Sequence, residues 1–280
     1  MKKAHGMTRV CTALDVPRST VYGRLARAGK PVPLQHRRLL SEAAMIHRQT
    51  RGCYGRRRMS QALRRRGFDV GPFKARSLMR EARLRVQAPR PAIYPKTRGQ
   101  VHHAVPNHLN RRFNIDVPGT VFAGDITYIW TRQGWLYLAI VMDLASRKIA
   151  GWATSDTPDT ALVMRACRLA LPQRQSGAPP LFHSDQGCQY TSSAFRSFLA
   201  NHGIKQSMSR RGNCWDNAPV ERFFRSLKSE WIGNTVYADH PQAVRDINHY
   251  IADFYNTQRL HSVANGHPPA ELHAALSKAA

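Results

Sequence analysis

Three carboxylates in this sequence stand where a carboxylate is costly or exposed to use. Asp125 interrupts the apolar run Val121-Phe122-Ala123-Gly124-Asp125-Ile126-Thr127-Tyr128-Ile129. An acid in a strand that otherwise wants burial must be paired or bound to a metal. Asp185 follows a short apolar stretch in His183-Ser184-Asp185-Gln186-Gly187, where glycine lets the backbone turn. Glu221 lies in a stretch with helical periodicity, and Arg225 and Lys228 fall on the same helix edge four and seven positions later. No His or Cys accompanies the three acids. An all-carboxylate set suits a hard, oxygen-seeking ion, Mg²⁺ or Mn²⁺. Taken singly, each acid also fits a turn cap or an ion pair, and Glu221 with Arg225 fits a surface pair at helical spacing. Asp143 competes as a fourth acid but suits the end of its own strand.

The elements that must position these acids follow from periodicity. Residues 213–231 read as one helix, with Asp216 and Asn217 capping its start and Pro219 in its first turn. Val220, Phe223, Phe224, Leu227 and Trp231 make its buried stripe. Residues 120–130, 135–144 and 148–154 are rich in β-branched and aromatic residues and are separated by short turns, so they read as three antiparallel strands. A helix over 159–171, a strand over 180–184, a helix over 192–202, a strand over 204–208 and a helix over 241–257 follow. Strands alternating with helices predict an α/β domain with a mixed sheet, whose sites form at strand ends.

Charge divides the chain. Residues 1–112 carry 27 Lys and Arg against 4 Asp and Glu, so nearly all of the net charge of +26 lies there. Such a segment favours a polyanion by counterion release, and nucleic acid is the polyanion that fits. Residues 7–14 and 17–28 have the outline of a helix-turn-helix, with Ser19 or Thr20 as cap and Arg18, Arg24 and Arg27 as cations. Three further helices are expected over 38–49, 55–66 and 72–84. Arg56, Arg57, Arg58, Arg64, Arg65 and Arg66 crowd the middle one with almost no acids to balance them, which predicts phosphate contact. Residues 87–112, with four prolines and no periodicity, read as an extended linker in which His102 and His103 are solvated. The resulting division is a helix-turn-helix-like segment at 1–36, a basic helical DNA-binding domain at 37–86, a Pro-rich linker at 87–115 and a catalytic core with C-terminal helices at 116–280. No apolar run is long enough to span a bilayer, no secretory signal core follows Met1, and the five cysteines are scattered. A reduced cytoplasm, with no membrane partner, is expected.

Taken together, these residues resemble the second-reading-frame transposases of the insertion sequence three family, of the DDE type with a retroviral-integrase-like core. Gly124-Asp125-Ile126-Thr127-Tyr128, His183-Ser184-Asp185-Gln186-Gly187 and Asp216-Asn217-Ala218-Pro219-Val220-Glu221 look like its three catalytic blocks. The 35 residues between Asp185 and Glu221 match the family interval. Lys228 matches its DNA-contacting basic residue, Tyr255-Asn256, Arg259 and His261 its C-terminal signature, and residues 51–86 its helical DNA-binding region. Asn265-Gly266-His267 departs from the usual continuation. The resemblance implies an RNase H-like core preceded by an all-α basic region. It implies Asp125, Asp185 and Glu221 as catalytic ligands of two Mg²⁺ (or Mn²⁺) ions, with Lys228 and Arg225 holding phosphate. The activity implied is cleavage and strand transfer of insertion-sequence ends by a homo-oligomer on DNA, in some relatives with an upstream-frame segment fused. A metal-dependent nuclease of the same fold and a non-catalytic DNA-binding regulator are the alternatives.

Overall fold

In the computed structural model, residues 6–28, 33–86, 105–175 and 179–279 are described. His102, His103 and residues 87–104 of the expected linker lie outside them.

The sheet is built on β1 (Val121–Thr131) and β2 (Gly134–Asp143), paired antiparallel from Phe122–Asp143 to Thr131–Gly134. Gly134 takes a φ of 110° to close this hairpin, a conformation that residues with a Cβ rarely adopt. β3 (Ile149–Ser155) pairs antiparallel with β2. β4 (Leu181–Ser184) lies parallel to β1 through Val121–Ala123, and β5 (Lys205–Met208) lies parallel to β4. The order β3-β2-β1-β4-β5 is the mixed sheet that the sequence predicts, with β1 central.

Alternation along β1 serves two cores. Ala123 and Ile129, opposite Met142 and Leu136, belong to the larger core, while Phe122 faces the smaller one. The smaller core is covered by α6 (Thr160–Ala170) and α8 (Ser193–Asn201), with the short α7 (Cys188–Thr191) between β4 and α8. Asp159 caps α6 by accepting from the Leu162 N–H at 2.8 Å, and Ser192 caps α8 in the same way.

The larger core holds α9 (Ala218–Ser226) and α10 (His240–Asn248), and it continues without a break into the N-terminal helices. Those helices are α3 (Leu34–Gln49), α4 (Arg56–Arg65) and α5 (Pro72–Glu81), which bury Ala43, Ile46, Met59, Leu63 and Leu78. Ahead of them stand α1 (Met7–Ala13) and α2 (Arg18–Ala28). Pro17 immediately precedes α2 and its carbonyl accepts from the N–H groups of Thr20 and Val21, so Ser19 and Thr20 sit inside the first turn of α2 and not at its cap.

Several expectations are corrected. Residues 213–231 are not one helix: a 3₁₀ turn (Cys214–Asn217) leads into α9, which passes into a π segment (Leu227–Ile232). Neither Asp216 nor Asn217 makes a side-chain cap. The helix over 241–257 likewise becomes α10 followed by a π segment (His249–Tyr255). Residues 105–112 are not free linker: Leu109 is buried, and the Ser207 hydroxyl accepts from the N–H groups of His108 and Leu109. Asp143 does more than end a strand. It is fully buried and accepts from the Gly119 N–H, the Ser146 N–H and the Ser146 hydroxyl. A last helix, α11 (Pro269–Ala279), lies beyond the segments for which helix bounds are predicted.

Candidate active site

β1 delivers Asp125, the end of β4 delivers Asp185, and the first turn of α9 delivers Glu221. Each is held differently. The Asp125 carboxylate accepts from the Ile126 N–H at 2.7 Å. Gly124 beside it leaves room for the Phe182 ring, which a Cβ there would meet at 2.5 Å. Asp185 accepts from the Gly187 N–H at 3.0 Å. Gly187 has an ordinary φ of −59°, so the turn does not demand glycine for its backbone. What glycine supplies is space, since a Cβ would lie 3.0 Å from the Asp185 Oδ1. Glu221 is exposed on α9, while Val220, Phe223 and Phe224 bury the opposite stripe.

The three carboxyls sense one another. Burial, then Asp185, then Glu221 hold Asp125 well above the usual carboxylate range. Asp185 is solvent-accessible, yet the protein packed around it raises its carboxyl as well. Glu221 is raised by desolvation and by Asp185, against the opposing pull of Arg225. Beneath them the fully buried Tyr190 hydroxyl is pushed up by burial and by both aspartates. Lys228 extends from the π segment over the Tyr128 ring, with its ammonium 4.5 Å from the centroid. Desolvation lowers the Lys228 pKa to about 8, and Asp125 partly offsets it.

Among the described residues, no group of three His, Cys, Asp or Glu side chains is already arranged to hold a metal ion in this conformation. The donor chemistry nevertheless fits hard divalent cations. The donors are oxygen only, they come from three chain segments, and their mutual repulsion is what a cation relieves.

The acids are braced by a fourth carboxylate whose role sequence reasoning misread. Asp216 has no exposed surface. Its Oδ1 accepts from Arg111 Nε (2.7 Å) and Arg210 Nη2 (2.9 Å). Its Oδ2 accepts from Asn107 Nδ2 (3.0 Å), the Arg210 N–H (2.9 Å) and Arg210 Nε (2.9 Å). The hydrogen bonds and charge of Arg210, with help from Arg111, hold its carboxyl far below the usual range. Next to it, Asn217 donates to the Gly124 carbonyl at 3.3 Å and so ties the start of α9 to the strand carrying Asp125. His183 is buried, hydrogen-bonded to the Ser207 and Ser209 hydroxyls, and desolvation lowers its pKa to about 4.

The expected DNA-contacting cations separate into two groups. Arg18, Arg56, Arg57, Arg64 and Arg225 are exposed. Arg64 approaches the open Asp69 at 3.7 Å, and Arg56 lies over the exposed Phe73 ring. Arg58 and Arg65 are instead paired with acids of the second half of the chain, Glu230 (3.0 Å) and Glu271 (2.5 Å). The picture of a basic helix without acidic partners is therefore corrected for these two, because the acids come from more than 170 residues away in sequence. Arg66 likewise pairs with Glu42.

Comparison with known proteins supplies the family. The integrase core domain models match residues 116–214 and 202–269, and an HTH-like domain model matches residues 35–92. A 31 kDa protein of insertion element IS600 from Shigella sonnei is 34% identical over 93% of this chain and 96% of its own length. The transposase InsF of insertion sequence IS3A from Escherichia coli is 33% identical over 94% of this chain and 92% of its own. This chain belongs to the IS3-family transposases. The transposase for insertion sequence element IS904 from Lactococcus lactis is 38% identical over 81% of this chain and 90% of its own. Among solved structures, the HTLV-2 integrase catalytic core domain in complex with magnesium aligns with 56% of this IS3-family chain and 97% of its own, at 18% identity and a TM-score of 0.43.

Proposed function

We propose that this chain is a DDE transposase, a polynucleotidyl transferase that cuts DNA at insertion-sequence ends and joins the freed 3′-OH to a second phosphodiester. The observation that carries this reading is that β1, the end of β4 and the first turn of α9 deliver Asp125, Asp185 and Glu221, with the Asp125 carboxyl raised by both other acids. Asp125, Asp185 and Glu221 would hold two Mg²⁺ or Mn²⁺ ions. Such ions, when bound, activate the attacking oxygen and stabilise the leaving one. The chain's own residues do the positioning. Lys228 and Arg225 hold backbone phosphate next to the acids, the Asp216 network fixes the start of α9, and Arg18, Arg56, Arg57 and Arg64 follow the flanking duplex. Water is the nucleophile in cutting and the 3′-OH in joining, so no protein–DNA covalent bond is needed.

The division into a helix-turn-helix-like segment, a basic helical domain, a linker and the integrase core belongs to the same reading. So does assembly as a homo-oligomer that bridges two DNA ends, with an upstream-frame segment as a further partner. Among the described residues, no helix is long and apolar enough to cross a membrane.

The test is an assay of the full chain with labelled, pre-cut element ends and Mg²⁺. The wild type joins them to a target, and Asp185→Asn binds the ends without joining. Joining at the normal rate by Asp185→Asn would refute the acid assignment. Cutting without joining would leave a nuclease of the same fold, and Mg²⁺-independent binding with no product a DNA-binding regulator.

A further inference from the structure

We infer that Arg58, Glu230 and Arg259 form a positioning bridge that sets the Glu221 helix and ties its placement to the docking of the basic N-terminal helices. The inference rests on the reading of Glu221 as one of the three active-site acids.

Glu221 is not yet part of a closed ligand set, so where α9 stands decides whether its carboxylate reaches the other two. α9 is one short helix of 9 residues, so what fixes its C-terminal end also bears on Glu221 in its first turn. Arg259 fixes that end. Its side chain is 5% exposed and every nitrogen is used. Nε and Nη2 each donate to Glu230 at 2.7 Å, Nη2 donates to the Ser226 hydroxyl at 3.0 Å, and Nη1 meets His261 Nε2 at 3.0 Å. Ser226 is the last residue of α9, and Glu230 lies in the π segment that follows. A π segment is rare, and its wider winding re-aims the chain where it occurs. One guanidinium therefore spans the junction at which the Glu221 helix changes pitch.

The second half of the bridge comes from the basic helices. Arg58 on α4 donates to the same Glu230 at 3.0 Å. Arg51 places its guanidinium 3.7 Å from the centre of the Trp231 ring, the next residue of the π segment, and pairs with Asp246 at 2.7 Å. Tyr54 donates to the Gln258 carbonyl and accepts from the Leu260 N–H on either side of Arg259. The exposed Arg56 and Arg57 immediately precede Arg58 on α4. A duplex drawn to that outer face thus loads the helix whose inner arginine grips the Glu221 support.

The experiment compares full-length Arg58→Ala, Arg58→Lys, Glu230→Gln and Arg58→Ala/Glu230→Gln in single-turnover joining of pre-cut ends. End affinity across a salt series and melting temperature are measured alongside. With the bridge, Arg58→Ala lowers the saturated joining rate about ten-fold, because a misplaced group is costly in rate. End affinity and salt slope stay at the wild-type values, and Arg58→Lys recovers part of the rate. The double variant is no slower than the worse single variant, since both act through one contact. Three results overturn the inference. One is a flatter salt slope and weaker affinity with an unchanged saturated rate, which makes Arg58 a phosphate contact. The second is an unchanged rate and affinity, and the third is a rate loss seen only in variants already melted at the assay temperature. Asp185→Asn runs in parallel, so that joining by that variant refutes the active-site reading itself and not merely the bridge.

Discussion

Asp216→Asn removes one oxygen from a group that accepts five hydrogen bonds. Every one of those partners is a donor, so the new amide NH₂ faces two or three donors whichever way it is turned. The native carboxylate has no exposed surface, while Arg111 and Arg210 are 43% and 52% exposed as side chains. The freed guanidiniums therefore recover much of their hydration, and the loss is concentrated on the buried side. Breaking a buried charged pair by removing one partner costs about 3–5 kcal/mol. Discounted for the open arginines, about 3 kcal/mol is expected, which lowers the melting temperature by roughly 6–12 °C for a chain of this size. The acid response changes as well. The folded Asp216 carboxyl lies below its unfolded value, so its stabilisation is complete above the ordinary aspartate range and is lost as pH falls through the folded value. The assay is differential scanning fluorimetry of both proteins from pH 7 down to the onset of acid unfolding. The gap between them should be widest near neutrality and close on the acid side. A variant melting within 1–2 °C of wild type at pH 7, on the same scale, or a gap that widens in acid, would refute the reasoning.

Other consequences follow from single contacts. A Cβ on Gly151 would strike the Ala166 carbonyl and lie 2.8 Å from the Ala170 N–H, where α6 presses on β3. Gly151→Ala should therefore destabilise by about 1–3 kcal/mol in chemical denaturation while leaving end binding intact. Cys188 is the one exposed thiol among those described, and burial pushes the Cys53 thiol up to about 12. Native titration with a thiol reagent should modify Cys188 within the time that leaves Cys53 and Cys167 untouched. Arg56→Ala and Arg57→Ala should each flatten the log–log salt dependence of DNA binding by about one unit, and an unchanged slope would remove α4 from the DNA path.

The first three strands were legible because they are rich in β-branched and aromatic residues and the turns joining them are short. Of the three acids, Asp125 stands out alone by interrupting an apolar strand, whereas Asp185 and Glu221 taken singly fit a turn and a surface pair and are grouped with it by residue type and by the family resemblance. The parts that were not legible depend on partners distant in sequence. Asp216 looks like a helix cap because it precedes α9, and only the fold brings Asn107, Arg111 and Arg210 around it. Arg58 and Arg65 look like solvent-facing cations because Glu230 and Glu271 lie far along the chain. The change to π winding at Leu227 also left no periodic trace, since Val220, Phe223, Phe224, Leu227 and Trp231 keep helical spacing across it.

The most direct measurement is Mn²⁺ binding by electron paramagnetic resonance on the complex of the full chain with its DNA ends. Asp125→Asn, Asp185→Asn and Glu221→Gln are measured in the same way. If acids from β1, β4 and α9 make one centre, each substitution weakens tight Mn²⁺ binding and strand joining together. Wild-type Mn²⁺ affinity in any of the three variants, or joining that survives the loss of tight Mn²⁺, would contradict it.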